Sequence, residues 1–170
     1  IPEFLKVSPN NRILAMIYHE TGSHIVGSGA IMLYLAQKFG KLIVKVDEYL
    51  DLLKWLMRQM GGRGSLRGRV HDFFESSHGK SPYGEERASS EAHKLDEVLA
   101  KKLIGKDFVA GEGSDEYSRC DLACWALVSR FKWQDLDLNH YPNVKEWYIR
   151  RANRPSAITG YQVSHFVNEV

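Results

Sequence analysis

The chain is short of the features that mark membrane-inserted or secreted proteins. No apolar run approaches the ~20 residues needed to span a bilayer, and no basic-then-apolar leader opens the sequence. Cysteine occurs twice, at Cys120 and Cys124. Four residues apart within a helical pattern, the two thiols share a face but are poorly placed to bridge each other. They read as two small buried thiols, with a two-ligand metal site as the weaker alternative. A reducing, cytoplasmic setting fits that usage. Excess charge is also missing: 23 basic against 21 acidic side chains leave a formal net charge of +2. That balance gives no electrostatic reason to expect a nucleic acid or a membrane surface as partner. An initiating methionine is absent too, Ile1 standing first, so a processed, trimmed or partial chain is expected.

What is present suffices for a core. At 170 residues and 44% hydrophobic, the chain can build one sizeable core or two small domains. Early on, "RILAMIY" (Arg12 to Tyr18) is a continuous β-compatible run, "HETG" a hairpin turn ending in glycine, and "SHIV" a second short strand. "GSGAIMLYLAQKFG" follows, with small polar residues leading into an apolar run that Gly40 stops. Serine is a favoured N-cap and glycine a favoured C′ residue, so a short helix capped by Ser28 is expected. Its apolar character nearly all round implies cover on two sides. Two strands alone form a marginal sheet, so something should lie beside them.

From about residue 47 onward strand signals vanish. "DEYLDLLKWLMRQM" spaces Leu50, Leu53, Leu56/Met57 and Met60 three or four apart. Ser81 to Gly105 predicts a long amphipathic helix through Leu95, Val98, Leu99 and Leu103, with Pro82 near its start. After a loop, Ser118 and Asp121 stand at capping-box spacing before "RCDLACWALV". A last clear helix runs from Tyr141 to Pro155, and the tail beyond, polar with scattered apolar residues, is assigned no element. Trp125, Trp147 and Tyr148 read as packing residues. The fold class is therefore α+β and mostly helical: a small β-β-α piece over residues 1–40, then an all-α domain over 47–170.

That layout, carrying "PEFLKVSPNNRILA", "SGAIMLYLAQKFG", "WLMRQMGG", "PYGEER", "SRCDLACWALV" and "YPNVKEWYIRRANRP", resembles the glutathione transferase family, most closely its Nu-class, disulfide-reductase-like branch. The likeness runs to about residue 156. It implies a partial thioredoxin-like, glutathione-binding domain followed by the family's all-α C-terminal domain. It also implies that the preceding β-α-β unit and helix are missing, and with them the residues acting on the glutathione sulfur. No catalytic residue and no metal ligand is nominated here. The implied activity is glutathione conjugation to a small electrophile, or glutathione-dependent disulfide reduction, in a chain able to form a homodimer.

Three positions carry the expected glutathione contacts. Ser28, at the start of the family's third helix, stands where a serine receives the γ-glutamyl carboxylate, a role that helix N–H groups and the dipole favour. The Ile13 backbone stands where the cysteinyl part would pair. Arg87, in "PYGEER", corresponds to an arginine pointing toward the thiol or disulfide region. Departures weaken the set. Gly27 replaces the glutamate that takes the ammonium. Leu14 replaces a cis-proline, and a cis bond before a non-proline residue costs ~2.5–4 kcal/mol, so Ile13–Leu14 is expected to be trans. Arg58, Arg63, Arg67 and Arg69 crowd twelve residues, a stretch read as a solvated face rather than an RNA or phosphate binder, yet costly to bury in a dimer. These changes leave a non-catalytic fold or interaction module as the competing reading.

Overall fold

The computed structural model describes residues 2–63, 82–111, 117–134 and 136–164. The chain divides into two compact units, Ile1–Ile43 and Val44–Val170.

The first unit opens with a helix the sequence reading did not assign, α1 (Pro2–Val7). Its signals are local: proline in the first turn, Glu3 at the positive end and Lys6 at the negative end. Ser8 closes it, its N–H donating to Phe4 O at 2.8 Å and its hydroxyl to Arg12 O at 2.8 Å. β1 (Ala15–Tyr18) and β2 (Ser23–Val26) pair antiparallel, Ala15 opposite Val26 and Tyr18 opposite Ser23. The first strand is thus shorter than the apolar run, starting at Ala15 rather than Arg12. Gly22 takes the left-handed conformation (φ 68°) that completes the hairpin turn. α2 (Ser28–Phe39) follows, ended by Gly40 at φ 62° with its N–H donating to Ala36 O. Both α1 and α2 pack on the hairpin. Only Gly29 and Ala36 of α2 are buried, so its apolar residues are less covered than their number suggests.

Two expectations for this unit are corrected. The N-cap of α2 is Gly27, not Ser28. Gly27 accepts the first intrahelical bond from Ile31 N (3.0 Å) and holds φ 90°, a conformation side chains disfavour. Ser28 takes the first helical position instead. The Ile13–Leu14 peptide bond, expected to be trans, is cis. Hydrogen bonds bracket that bond on both sides: Ser8 Oγ to Arg12 O before it, and Gly27 N to Leu14 O (2.9 Å) after it. Tertiary context, not the intrinsic preference of a leucine peptide, sets the backbone there.

The second unit is all helical among its described residues. A 3-10 turn (Val46–Glu48) leads into α3 (Tyr49–Arg58), and a π-helical turn (Gln59–Arg63) extends it. Then come α4 (Pro82–Lys102), α5 (Arg119–Val128), α6 (Pro142–Ala152) and α7 (Pro155–Ser164). α7 occupies part of the tail to which the sequence reading assigned no element. Pro155 does stop α6, but proline is also suited to the first turn of a helix, and here it opens the next. The core gathers Leu52 from α3, Leu99 from α4, Cys120, Cys124 and Val128 from α5, and Val144 and Trp147 from α6. On α3 the buried face runs through Leu52 and Leu56, while Leu50 is 72% exposed and Met57 is exposed. Of the apolar spacing read from the sequence, Leu56 is buried and Leu53 packs against the core, whereas Leu50 and Met57 face outward and the buried Leu52 was not included. Trp125 and Tyr148 stack at 5.9 Å, and Trp125 Nε1 donates to Tyr148 O at 3.2 Å.

Candidate functional site

The first unit brings two of the three expected ligand positions near one another. Gly27 N donates to Leu14 O at 2.9 Å, which ties the start of α2 to the backbone following Ile13. Ile13 is 84% exposed and Leu14 is exposed. Ser28 is half-buried, one residue beyond that link, at the N-terminus of a twelve-residue helix. Helix N–H groups of the first turn have no intrahelical partners, and the dipole places positive potential there. The geometry therefore joins an open backbone segment to an anion-favouring helix start, with Gly27 as the hinge between them. Gly27 was seen in the sequence only as a lost glutamate. Its structural part, a positive-φ residue bonded to the backbone just before β1, had no signal beyond its identity as glycine.

Arg87 lies in the second unit, on the exposed side of α4. Its Nη1 donates to Tyr83 Oη at 3.3 Å. That partner sits at i, i+4 within the same "PYGEER" segment, a spacing the sequence does display. Glu91, one turn further on, bonds Lys94 at 2.9 Å, and that bond holds its carboxyl below the ordinary value. Arg58 lies exposed over the Trp55 ring at 5.9 Å. Arg67 and Arg69 lie outside the described residues, as does the side chain of Arg63, so the arginine-rich stretch is not described as a surface.

The cysteines take no part in this site. Both are buried on α5 and free of disulfide. The hydrogen bond with Cys124, then burial, push the Cys120 thiol up, away from the thiolate needed for nucleophilic or ligand chemistry. Among the described residues no group of three or more histidine, cysteine or acidic side chains is placed to hold a metal ion. None of the helices among them is long and apolar enough to cross a membrane.

Asp121 has the strongest polar constellation. Fully buried, it accepts from Val109 N (2.8 Å), Trp147 Nε1 (3.0 Å), Ser118 Oγ (2.9 Å) and Ser118 N (3.4 Å). Asp121 N donates back to Ser118 Oγ, completing the capping box expected from the sequence. Burial pushes the Asp121 carboxyl above the usual range, while these donors pull it back. With one carboxylate joining the 109 loop, α5 and α6, its role is architectural. The loop itself was expected as plain connection, yet Phe108, Val109 and Ala110 are buried.

No family model matches the chain. The disulfide-bond oxidoreductase YfcG of Escherichia coli K12 is 38% identical over 161 residues, covering 91% of this chain and 74% of that protein. The chain belongs to the glutathione transferase family. Within it, the kinship is Nu-class-like. A glutathione transferase family member from Pseudomonas fluorescens Pf-5, crystallised with two glutathione bound, matches at TM-score 0.83 and 32% identity over 94% of this chain and 74% of that one. A glutathione transferase from Pseudomonas putida, with one glutathione disulfide bound per subunit, matches at 0.84 and 31% over 94% and 73%. The fold is accordingly that of a glutathione transferase: a thioredoxin-like β-β-α portion and a helical domain. The family's activity is glutathione-dependent.

Proposed function

We propose that this glutathione transferase chain binds glutathione through its first unit, serving conjugation to a small electrophile or reduction of a disulfide. The start of α2 receives the γ-glutamyl carboxylate at Ser28 and the adjoining N–H groups. The Ile13 backbone faces the cysteinyl moiety. One observation carries the reading: the Gly27 N to Leu14 O bond holds the exposed Ile13–Leu14 segment beside a helix N-terminus. No side chain is assigned to act on the sulfur itself. A cytoplasmic, homodimeric protein is the natural setting for this chemistry.

The ligand should bind less tightly than where a glutamate precedes the serine. Gly27 leaves the ammonium without a carboxylate, and a hydrogen bond to a charged group is worth about 1.5–3 kcal/mol. This substitution favours the second reading, a glutathione transferase fold kept as a non-catalytic interaction module. Chromatography separates the two. Retention on immobilised glutathione with release by free glutathione is the expected outcome, and Ser28→Ala should elute earlier. Flow-through of the wild-type chain, folded by circular dichroism, would favour the module.

A further inference from the structure

We infer that Arg151, Arg154 and the Tyr117 hydroxyl form a second ligand site, for a small oxyanion of carboxylate or phosphate type, where α6 ends and α7 begins. The Arg154 guanidinium lies 4.2 Å from the centre of the Tyr117 ring, and that of Arg151 lies 5.4 Å from the same ring and 4.4 Å from Phe108. Two guanidinium groups thus share one aromatic platform. A guanidinium held over an aromatic ring is attracted to its face and still has N–H groups with which to make hydrogen bonds.

Among the described residues neither guanidinium has a carboxylate within ion-pair distance. The neighbouring Arg150 is neutralised by the carboxylates of Asp107 at 3.3 Å and Glu146 at 3.9 Å. Arg151, only 5% exposed, obtains just the backbone carbonyl of Asp107, through Nη2 at 3.0 Å. Arg154 makes no ion pair with a described residue, and the Nε atoms of both Arg151 and Arg154 are buried without a hydrogen-bond partner. Burial lowers the pKa of Arg151, as do Arg150 and Arg154, while Asp121 opposes them. A buried and a half-buried cation, each with an unfilled Nε donor, are costly side by side unless an anion joins them.

Complementing the helix dipole is a simpler role for basic residues here, since all three arginines stand near the C-terminus of α6. That role covers Arg150 and Arg151. It does not cover Arg154, whose carbonyl accepts from Ala157 N (2.9 Å) and Ile158 N (3.1 Å), so that it caps the positive end of the ten-residue α7. A cation is disfavoured at that end, and an anion is favoured. Guanidinium forks, a phenol and first-turn N–H groups suit an oxyanion better than a halide, because each oxygen can accept a separate bond.

Calorimetric titration of the whole 170-residue chain tests this, with inorganic phosphate and succinate as separate probes at matched ionic strength against potassium chloride. Saturable one-site binding of at least one probe is expected. Arg154→Gln should weaken it about tenfold or more, and Arg154→Lys, which keeps charge but loses the fork, should fall between. Binding of phosphate alone would assign a phosphoryl ligand, and of succinate alone a carboxylate. Heats no different from chloride, or unchanged affinity in either folded Arg154 variant, would overturn the site. Should Arg154→Gln not fold, Arg154→Lys and Tyr117→Phe decide by the same measurement.

Discussion

The two units hold their shape by different means. In the second, helices converge on a dry core, and a buried carboxylate stitches three segments together. In the first, Ala36 is the one fully buried apolar side chain among the described residues, while Ile13, Leu14, Ile17, Val26 and Phe39 are exposed. Its order comes instead from backbone devices: positive-φ glycines at 22, 27 and 40, the Gly27 N to Leu14 O bond, and the Ser8 cap. The unit that holds the proposed Ile13 and Ser28 contacts is therefore the one with the smaller apolar reserve. Binding segments are commonly drawn from the less stable parts of a protein, and a ligand that bridges Ile13 and Ser28 would add stability where little is built in.

Substitutions in the second unit should show the largest effects. Asp121→Ala strands buried donors at Val109, Trp147 and Ser118, each worth about 1–3 kcal/mol when left unmet. A total loss of about 3–5 kcal/mol is expected in chemical denaturation. All four tryptophans (55, 125, 133 and 147) lie beyond residue 43, so their fluorescence reads this unit selectively. A loss below 1 kcal/mol would deny the carboxylate its place at the centre of the unit. Leu56→Ala, at a side chain with no exposed surface, should cost about 2–4 kcal/mol. Leu50→Ala, one face away, should stay within about 0.5 kcal/mol. Equal costs would mean that α3 packs through the other side.

For the first unit the expected changes are smaller and conformational. Gly40→Ala forces a side chain into φ 62° with no compensating contact, at a cost of about 1–2 kcal/mol. Hydrogen exchange at the amides of Lys41 and Gly40 should accelerate, while exchange at α5 stays unchanged. Acceleration of both together would show that the two units open as one.

The smallest effect is electrostatic. Burial raises the Asp51 carboxyl, but hydrogen bonds from Lys102 (2.7 Å) and Lys54 outweigh it and leave the group below its ordinary value. With the folded-state value depressed, its contribution is complete above about pH 4 and fades as acid protonates the folded form. Asp51 is about one-third exposed, so Asp51→Asn should cost about 0.5–1 kcal/mol at pH 7. The gap from wild type should shrink steadily as the pH is lowered from about 4 through the depressed folded-state value. A gap that does not shrink would point to packing rather than charge.

How far the sequence could be read also differs between the units. The hairpin turn, the second strand and the end of α2 were legible almost to the residue, because glycines and a turn are local signals. Missed there were the cap at Gly27 and the Ile13–Leu14 geometry, which depend on a bond between residues thirteen positions apart. In the second unit the helices were legible from periodicity, and the capping box from Ser118 and Asp121. The buried side of α3 was legible only in part, through Leu53 and Leu56, since Leu50, Leu52, Leu53, Leu56 and Met57 are apolar on nearly every side and only tertiary packing chooses among them. α7 was hidden by Pro155, which signals an end and a beginning equally well. The ligand positions came from resemblance to the family, because a serine before an apolar helix has no chemistry that distinguishes a site from a cap.

Isothermal titration of reduced glutathione into the 170-residue chain, beside Ser28→Ala, tests the central claim most directly. Saturable binding by the wild type, weakened about tenfold by loss of the hydroxyl, is the outcome expected. No heat from the wild type, or identical affinity in a folded Ser28→Ala variant, would contradict it.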